Sequence, residues 1–540
     1  MAIIANNNSI VPFLGERLSF IRGLDPLGLQ NTSDATFSML LPGLNNVTGR
    51  IRYYSFYCWL LDMYSKEVGK TDEKEQKKFI RRAEFIIALI AQYTEGEKGS
   101  IAGSSYASRE IAEKTAENNA PTYDLQASTY KPDGSTRDTY WNYSGGAFGQ
   151  YYLGSMRDIG IITARDNKTN VFVRTPKNTD GGISGEDLAE AFEKNINSNE
   201  KGLFLKSIEN GIISEETIKQ LIPLFNLTLI LDNSEEQTLL TELLLQKDFP
   251  HWSETDTIFR KQTIKYLLQY YQKELNGNPF DDRTFVYYCY DGKGAYNEAE
   301  NDCLLGWYYY QMNEFWQYAC TSILNGTLSY LESTGYAHEF PLAQLVKEIT
   351  DKVIESYKTE GLIKNGEKSV GDFLKNVSDS EYDEYAFFDG VRGNEDIEKI
   401  TNAFLLNFEL FNKNKTHLVK LQQYSVKPQI AKDGNSISYF LAFDKHFTKP
   451  LHKYIYDFIF VNIIYRHQYV AFRKMGTGTQ STQKFIIENQ HIRFLGNFDA
   501  TYTGPRIRTL NNFLKDLQII TNDNALTLKG ESLLNKLLNS

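Results

Sequence analysis

Along this chain the apolar positions recur mainly at spacings of three and four residues, the period of a helix that buries one stripe, while alternation is confined to short stretches. From Thr48 the run Gly49 to Tyr64 has no breaker after its glycine and an almost continuous apolar load, which predicts a buried helix with Thr48 as its cap. A second helix is predicted from about Glu73 to Tyr93, with Lys77, Lys78, Arg81 and Arg82 on a solvated face ahead of the apolar run Phe85 to Ile90. Helices are also predicted for Ser108–Asn118 and around residues 185–197, 214–222, 234–246, 254–275, 295–332, 342–358 and 393–413, between turns rich in Asn, Gly and Asp. Residues 24–47 hold Pro26, Gly28, Pro42 and Gly43 and read as irregular, as does most of 96–140. Ser436–Phe443 alternates in part and predicts a strand; Thr482–Phe494 predicts two, joined around Asn489 and Gln490.

These elements make the chain mostly α with minor β. Its 540 residues exceed the size at which one core stops growing, so a multidomain helical protein is expected. Changes in composition divide it into an N-terminal helical domain (1–130), a small domain (131–200), a central helical domain (201–450), and a long helix with a terminal domain (451–540).

The second and fourth of these segments share an internal repeat. Met156-Arg-Asp-Ile-Gly-Ile-Ile-Thr163 is similar to Leu514-Lys-Asp-Leu-Gln-Ile-Ile-Thr521 at a constant offset of 358. Each is followed by a polar turn, a short extended piece (Val171–Thr175 and Ala525–Leu528) and a Gly-Glu-x-Leu helix start at Gly185 and Gly530. The second copy resembles the winged-helix modules of bacterial regulators at Leu517, Ile519, Ile520, Leu526, Thr527 and Gly530; the first is interrupted by an insertion, Pro176–Ile183. The fold expected is therefore helical with two winged-helix-like segments. The resemblance implies that the helix before the corner, carrying Arg506, Arg508, Asn511, Asn512 and Lys515, enters the major groove of duplex DNA. Winged helices also serve as protein-docking or spacer modules, and both readings stay open.

A formal charge of −10 confines any nucleic-acid contact to a local patch. Cys58, Cys289, Cys303 and Cys320 are widely spaced without a CxxC, which indicates neither a zinc site nor a disulfide framework. The N-terminus lacks the basic start and apolar core of a signal peptide. Tyr454–Tyr465, the most apolar helix candidate, falls short of the roughly 20 residues that cross a bilayer and reads as a core helix. A cytoplasmic protein without metal, cofactor or membrane contact is expected.

Several motifs carry candidate chemistry. In His338-Glu339 the second histidine of a zinc-protease motif would fall at Leu342, and Pro341 would break its helix. The glycines at 292–294 and 476–478 lack the strand, helix and Gly-Lys-Ser/Thr ending of a phosphate loop. Acids at Asp281-Asp282, Glu381–Glu384 and Glu395–Glu398 would have to be assembled from distant segments to make a metal-dependent nuclease, and the last group reads as a helix start. Trp307–Tyr318 places Tyr308, Gln311, Glu314 and Phe315 on one stripe, the pattern of a core-lining helix with Gln311 and Glu314 hydrogen-bonded. His467, near the cationic end of its helix with Arg466, Arg473 and Lys474, reads as structural.

The blocks Leu24-Asp-Pro-Leu-Gly28, Leu40-Leu-Pro-Gly43, Asn46-Val-Thr48 and Arg50–Tyr57, with Arg466–Lys474 and Pro505-Arg506, resemble large uncharacterised proteins of bacterial anti-phage defence loci. The resemblance implies a bacterial cytoplasmic protein working beside other gene products. Asp25, Asn46, Thr48, Arg50, Arg52 and Tyr54 are polar groups among apolar ones. They make either a ligand or partner pocket with the arginines as anion clamps, or an internal network in which Asp25 pairs with one arginine. The function expected is a nucleic-acid-recognition or scaffold component of a multi-protein defence system. The alternatives are the nuclease above and a protein-interaction subunit that does not bind DNA.

Overall fold

The computed structural model describes residues 25–45, 47–69, 71–94, 100–117, 121–166, 168–177, 182–246, 259–275, 277–292, 302–335, 337–363, 369–378, 382–425, 435–475 and 482–539. At 67% helix and 6% strand it is a mostly α protein, as the spacing of apolar residues predicts. It divides into two compact units, each made of two stretches of chain: Ser38–Tyr288 with Gly504–Ser540, and Met1–Phe37 with Cys289–Thr503. The four segments read from composition are consecutive, whereas these units interleave along the chain.

The first unit is built on the helix Arg52–Met63, every residue of which is buried. The helix starts at Arg52 rather than at Thr48. Thr48 lies buried in the preceding turn, its N–H donated to Asn45 Oδ1 at 2.9 Å. An apolar surface on every side of a helix demands a cover on every side. Around Trp59 that cover is Phe192, Phe204 and Phe225, the last two stacked at 4.3 Å. The adjoining helix Glu73–Tyr93 is capped by Asp72, which accepts from the Lys74 N–H. Its two arginines do not form the solvated face expected of them. Arg81 is buried, donating to the carbonyls of Thr129, Trp141 and Tyr143 between the rings of Tyr130 and Tyr140. Arg82 is also buried and donates to the Ile208 carbonyl at the end of the helix Ser198–Asn210. Loop and helix-end carbonyls from distant sequence thus supply the partners that water would otherwise supply. Less than a turn on, Glu84 is buried with four donors: the Tyr57 and Tyr140 hydroxyls and the N–H groups of Ala147 and Phe148. Burial nevertheless holds its carboxyl above the usual range.

The second unit is built on the long helix Asp302–Ser333, packed against Asp396–Asn414 and flanked by Leu342–Thr359. Its inner face carries polar side chains that hold an extended segment. Asn325 donates to the Phe498 carbonyl at 2.6 Å, Gln317 to the Thr501 carbonyl at 3.0 Å, and Glu314 accepts the Thr503 N–H at 2.7 Å. Glu314 is therefore hydrogen-bonded as expected, whereas the buried Gln311 Nε2 has no partner. Burial pushes the Glu314 carboxyl up to about 8.

Three further expectations are corrected here. Residues 24–47 contain a helix, Gln30–Leu40. Ser436–Leu441 is a helix and not a strand: Asn435 caps it by accepting from the Ser438 N–H, and Ile437 and Phe440 share its inner face. The run Leu451–Met475, π-wound over Phe458–Tyr465, is a core helix on one face only, since Val461 and Tyr465 point to solvent. The pair of strands expected within 482–494 is present as Phe485–Glu488 and His491–Phe494, with Asn489 and Gln490 at φ 49° and 63° in the turn; Phe340–Pro341 adds a short third strand. Among the described residues no helix is long and apolar enough to cross a membrane.

Candidate nucleic-acid interface

Both copies of the repeat lie in the first unit, and their corners share the same hydrogen bonds. In each, a helix (Leu153–Ile159, Ile507–Asp516) ends at a left-handed residue, Gly160 at φ 85° and Gln518 at φ 59°. The next N–H folds back on the helix, Ile161 to Met156 at 3.0 Å and Ile519 to Leu514 at 2.9 Å. A threonine then joins corner to closing helix. Thr175 donates its hydroxyl to the Gly160 carbonyl and accepts the Gly185 N–H; Thr527 does the same with Gln518 and Gly530. The two glycines are required by contact, because a Cβ would lie 2.0 Å from the Ile161 carbonyl oxygen at Gly185 and 2.2 Å from that of Ile519 at Gly530. The insertion in the first copy does not weaken its hairpin. Ile162–Ala164 pairs with Phe172–Arg174 over three residues, whereas the second copy has a single bridge, Ile520 to Leu526. The extra residues are accommodated between Thr175 and the Ser184 cap of the closing helix.

The five residues singled out on the second copy's first helix divide by environment. Arg506 donates to the Leu44 carbonyl, and the buried Asn511 accepts from the Tyr271 hydroxyl. Arg508 is exposed, and Asn512 and Lys515 are half-buried. At steps of four and three residues they form one stripe. The Arg508 side chain is 72% exposed and pairs with Asp282 at 2.9 Å; Lys515 donates to the Asn522 carbonyl in the hairpin turn. The remaining faces of this helix are fixed from within: Thr509 donates to the Asn45 carbonyl, Phe513 meets Tyr54 edge-on, and Asp516 accepts from Arg50 at 2.6 Å and from the Ile51 N–H.

The second candidate group is internally engaged. Arg50 pairs with Asp516 and also donates to Ser100. Arg52 donates to Glu236 at 3.1 Å and to the carbonyls of Asn226 and Leu229, while Ser55 and Asn195 complete the Glu236 carboxylate. Tyr54 donates to the Gly43 carbonyl, and burial raises its hydroxyl to about 12. Asp25 belongs to the other unit, where its carboxylate accepts the Gln30 N–H and its carbonyl the Lys474 ammonium, so its partners are not the arginines expected. Asn46 lies outside the described residues. The network reading fits these contacts, with carboxylates missed in the sequence, Asp516 and Glu236, as partners.

His467 is buried, its Nδ1 on the Pro26 carbonyl at 2.9 Å and its Nε2 accepting the Lys484 N–H at 3.1 Å, which requires the neutral Nδ1–H ring. Burial holds it down at about 4, in keeping with a structural role. Asp281 caps the turn before Asp282–Tyr290, and Glu398 sits in the first turn of Asp396–Asn414. The four cysteines are buried and form no disulfide, and among the described residues no group of three or more His, Cys, Asp and Glu is placed to hold a metal. Glu381, Gly294, Gly476 and Gly478 lie outside the described residues. Compared with family models, curated proteins and solved structures, the chain matches none.

Proposed function

We propose that this chain is a recognition and scaffold component of a multi-protein bacterial anti-phage defence system, and that the second repeat copy is a winged-helix-like module that contacts duplex DNA in the cytoplasm. The observation that carries this reading is the stripe Arg508, Asn512 and Lys515 on the helix before the hairpin. Two cations and an amide suit phosphate oxygens and base edges, and a helix already clamped by Arg50, Tyr271 and the 44–45 carbonyls loses little freedom on docking. With a net charge of −10 the contact is local and few phosphates are neutralised.

Duplex binding measured at two salt concentrations tests this. Two cationic contacts give a slope of log affinity against log salt of about −2, and Arg508→Ala with Lys515→Ala abolishes it. Absence of binding at low salt, or a slope unchanged in the double variant, overturns the reading. A second reading, a protein-interaction subunit that does not bind DNA, is favoured by the exposed Val461, Tyr465, Tyr469 and Phe472 on the run Leu451–Met475.

A further inference from the structure

The outward face of the helical run Leu451–Met475 carries no charge between Asp457 and Arg473. Val461, Tyr465, Tyr469 and Phe472 are 58%, 44%, 48% and 46% exposed, at steps of four, four and three residues that keep them on one side. Tyr456 and Phe460 prolong the face, stacked at 5.8 Å, and Phe460 meets Tyr465 edge-on at 4.9 Å. The stripe runs from Tyr456 to Phe472, through the π-wound stretch Phe458–Tyr465. A surface helix turns polar residues outward, and a contiguous apolar patch in their place marks an interaction site.

We propose that this face binds a second copy of the same chain, antiparallel, about a two-fold axis at Tyr465. Asp457 is the only acid in the run, and Asp457 and Arg473 stand equally far from Tyr465 on either side, as do Val461 and Tyr469. An isologous antiparallel pairing therefore sets Asp457 of each copy against Arg473 of the other, Val461 against Tyr469, and Tyr465 against itself. Asp457 already accepts from Lys449 and Lys453, and a carboxylate has lone pairs left for a guanidinium. Elsewhere two copies of charge −10 repel, which singles out a face without surplus acid. The four half-exposed side chains offer on the order of 400 Å² per copy, taking 150–250 Å² for an aromatic side chain. That is about half of what a standard stable interface buries per partner, so the dimer is reversible and concentration-dependent.

The register is tested by cross-linking the full chain. Because the native cysteines are buried, an introduced surface thiol reports on its own contacts. Under mild oxidation Tyr465→Cys forms a covalent dimer faster than the exposed control Glu355→Cys, and Val461→Cys cross-links to Tyr469→Cys faster than either does to itself. Sedimentation from about 1 to about 100 μM, the range of weak association, shows a wild-type dimer that Tyr465→Glu weakens at least about tenfold with an unchanged circular dichroism spectrum. A chain monomeric throughout, a dimer insensitive to Tyr465→Glu, or Tyr465→Cys cross-linking no faster than the control overturns the proposal.

Discussion

The helix Arg52–Met63 and the run Leu451–Met475 start from similar composition, aromatic and aliphatic on every side, and end in different surroundings. The first is covered on all faces by its own unit, and the charged groups it carries inside are answered there, Arg52 by Glu236 and Asp62 by Arg174, with the Ser55 hydroxyl also on Glu236. The second is answered on its inner side alone, where Arg466, His467 and Lys474 hold the carbonyls of residues 25–28. Composition sets how much apolar surface a helix offers, and the elements packed on it set how much is covered.

Substitutions sharpen that contrast. Arg52→Ala leaves the Glu236 carboxylate buried without its cation and is expected to cost about 3–5 kcal/mol, whereas Tyr465→Ser on the open face stays within about 0.5 kcal/mol at concentrations where the chain is monomeric. Urea unfolding of the two variants side by side checks this, and comparable losses would erase the distinction.

A pH-dependent effect distinguishes the two buried glutamates. Glu314, lifted from 4.5 to about 8 by burial, keeps its proton when folded, so its contribution to stability is complete below pH 4.5 and is lost as pH rises towards 8, by about 1.4 kcal/mol per unit of difference. Glu314→Gln is expected to flatten the decline of stability across that window; an unchanged decline would remove Glu314 as its source. His467 acts in the opposite sense, its folded value of about 4 lying below 6.5, so its contribution is lost as pH falls from 6.5 towards 4. The Glu84 carboxyl is also raised, but its four donors all serve the charged form, whereas Glu314 Oε1 is buried without a partner.

What could be read in the sequence was what repeats locally. The 358-residue offset is visible as a string and aligns the two left-handed corners, while the glycine under each closing helix follows from the shared Gly-Glu-x-Leu start. The strand turn at Asn489 and Gln490 was legible because both residue types tolerate positive φ. The solvated face expected of Arg81 and Arg82 fails because their partners, mostly backbone carbonyls, lie 44 to 127 residues away, which no spacing reveals. The same holds at the candidate interface. That Arg506 and Asn511 face inward depends on Leu44 and Tyr271, whereas the stripe of Arg508, Asn512 and Lys515 is what helical spacing alone provides. The open aromatic face had a signal in the charge-poor run 454–465, but inner and outer sides could be told apart only by what packs against them.

The proposal that the second repeat copy reads duplex DNA rests on Arg508, which pairs with Asp282 at the surface. The most direct measurement is a double-mutant cycle of duplex affinity at low salt with Asp282→Ala and Arg508→Ala. Releasing the arginine from an exposed ion pair of ~0.2–1 kcal/mol is predicted to tighten binding up to a few-fold, with the gain absent when Arg508 is already alanine. An equal gain in both backgrounds, or none in either, would contradict a role for Arg508 at the phosphate backbone.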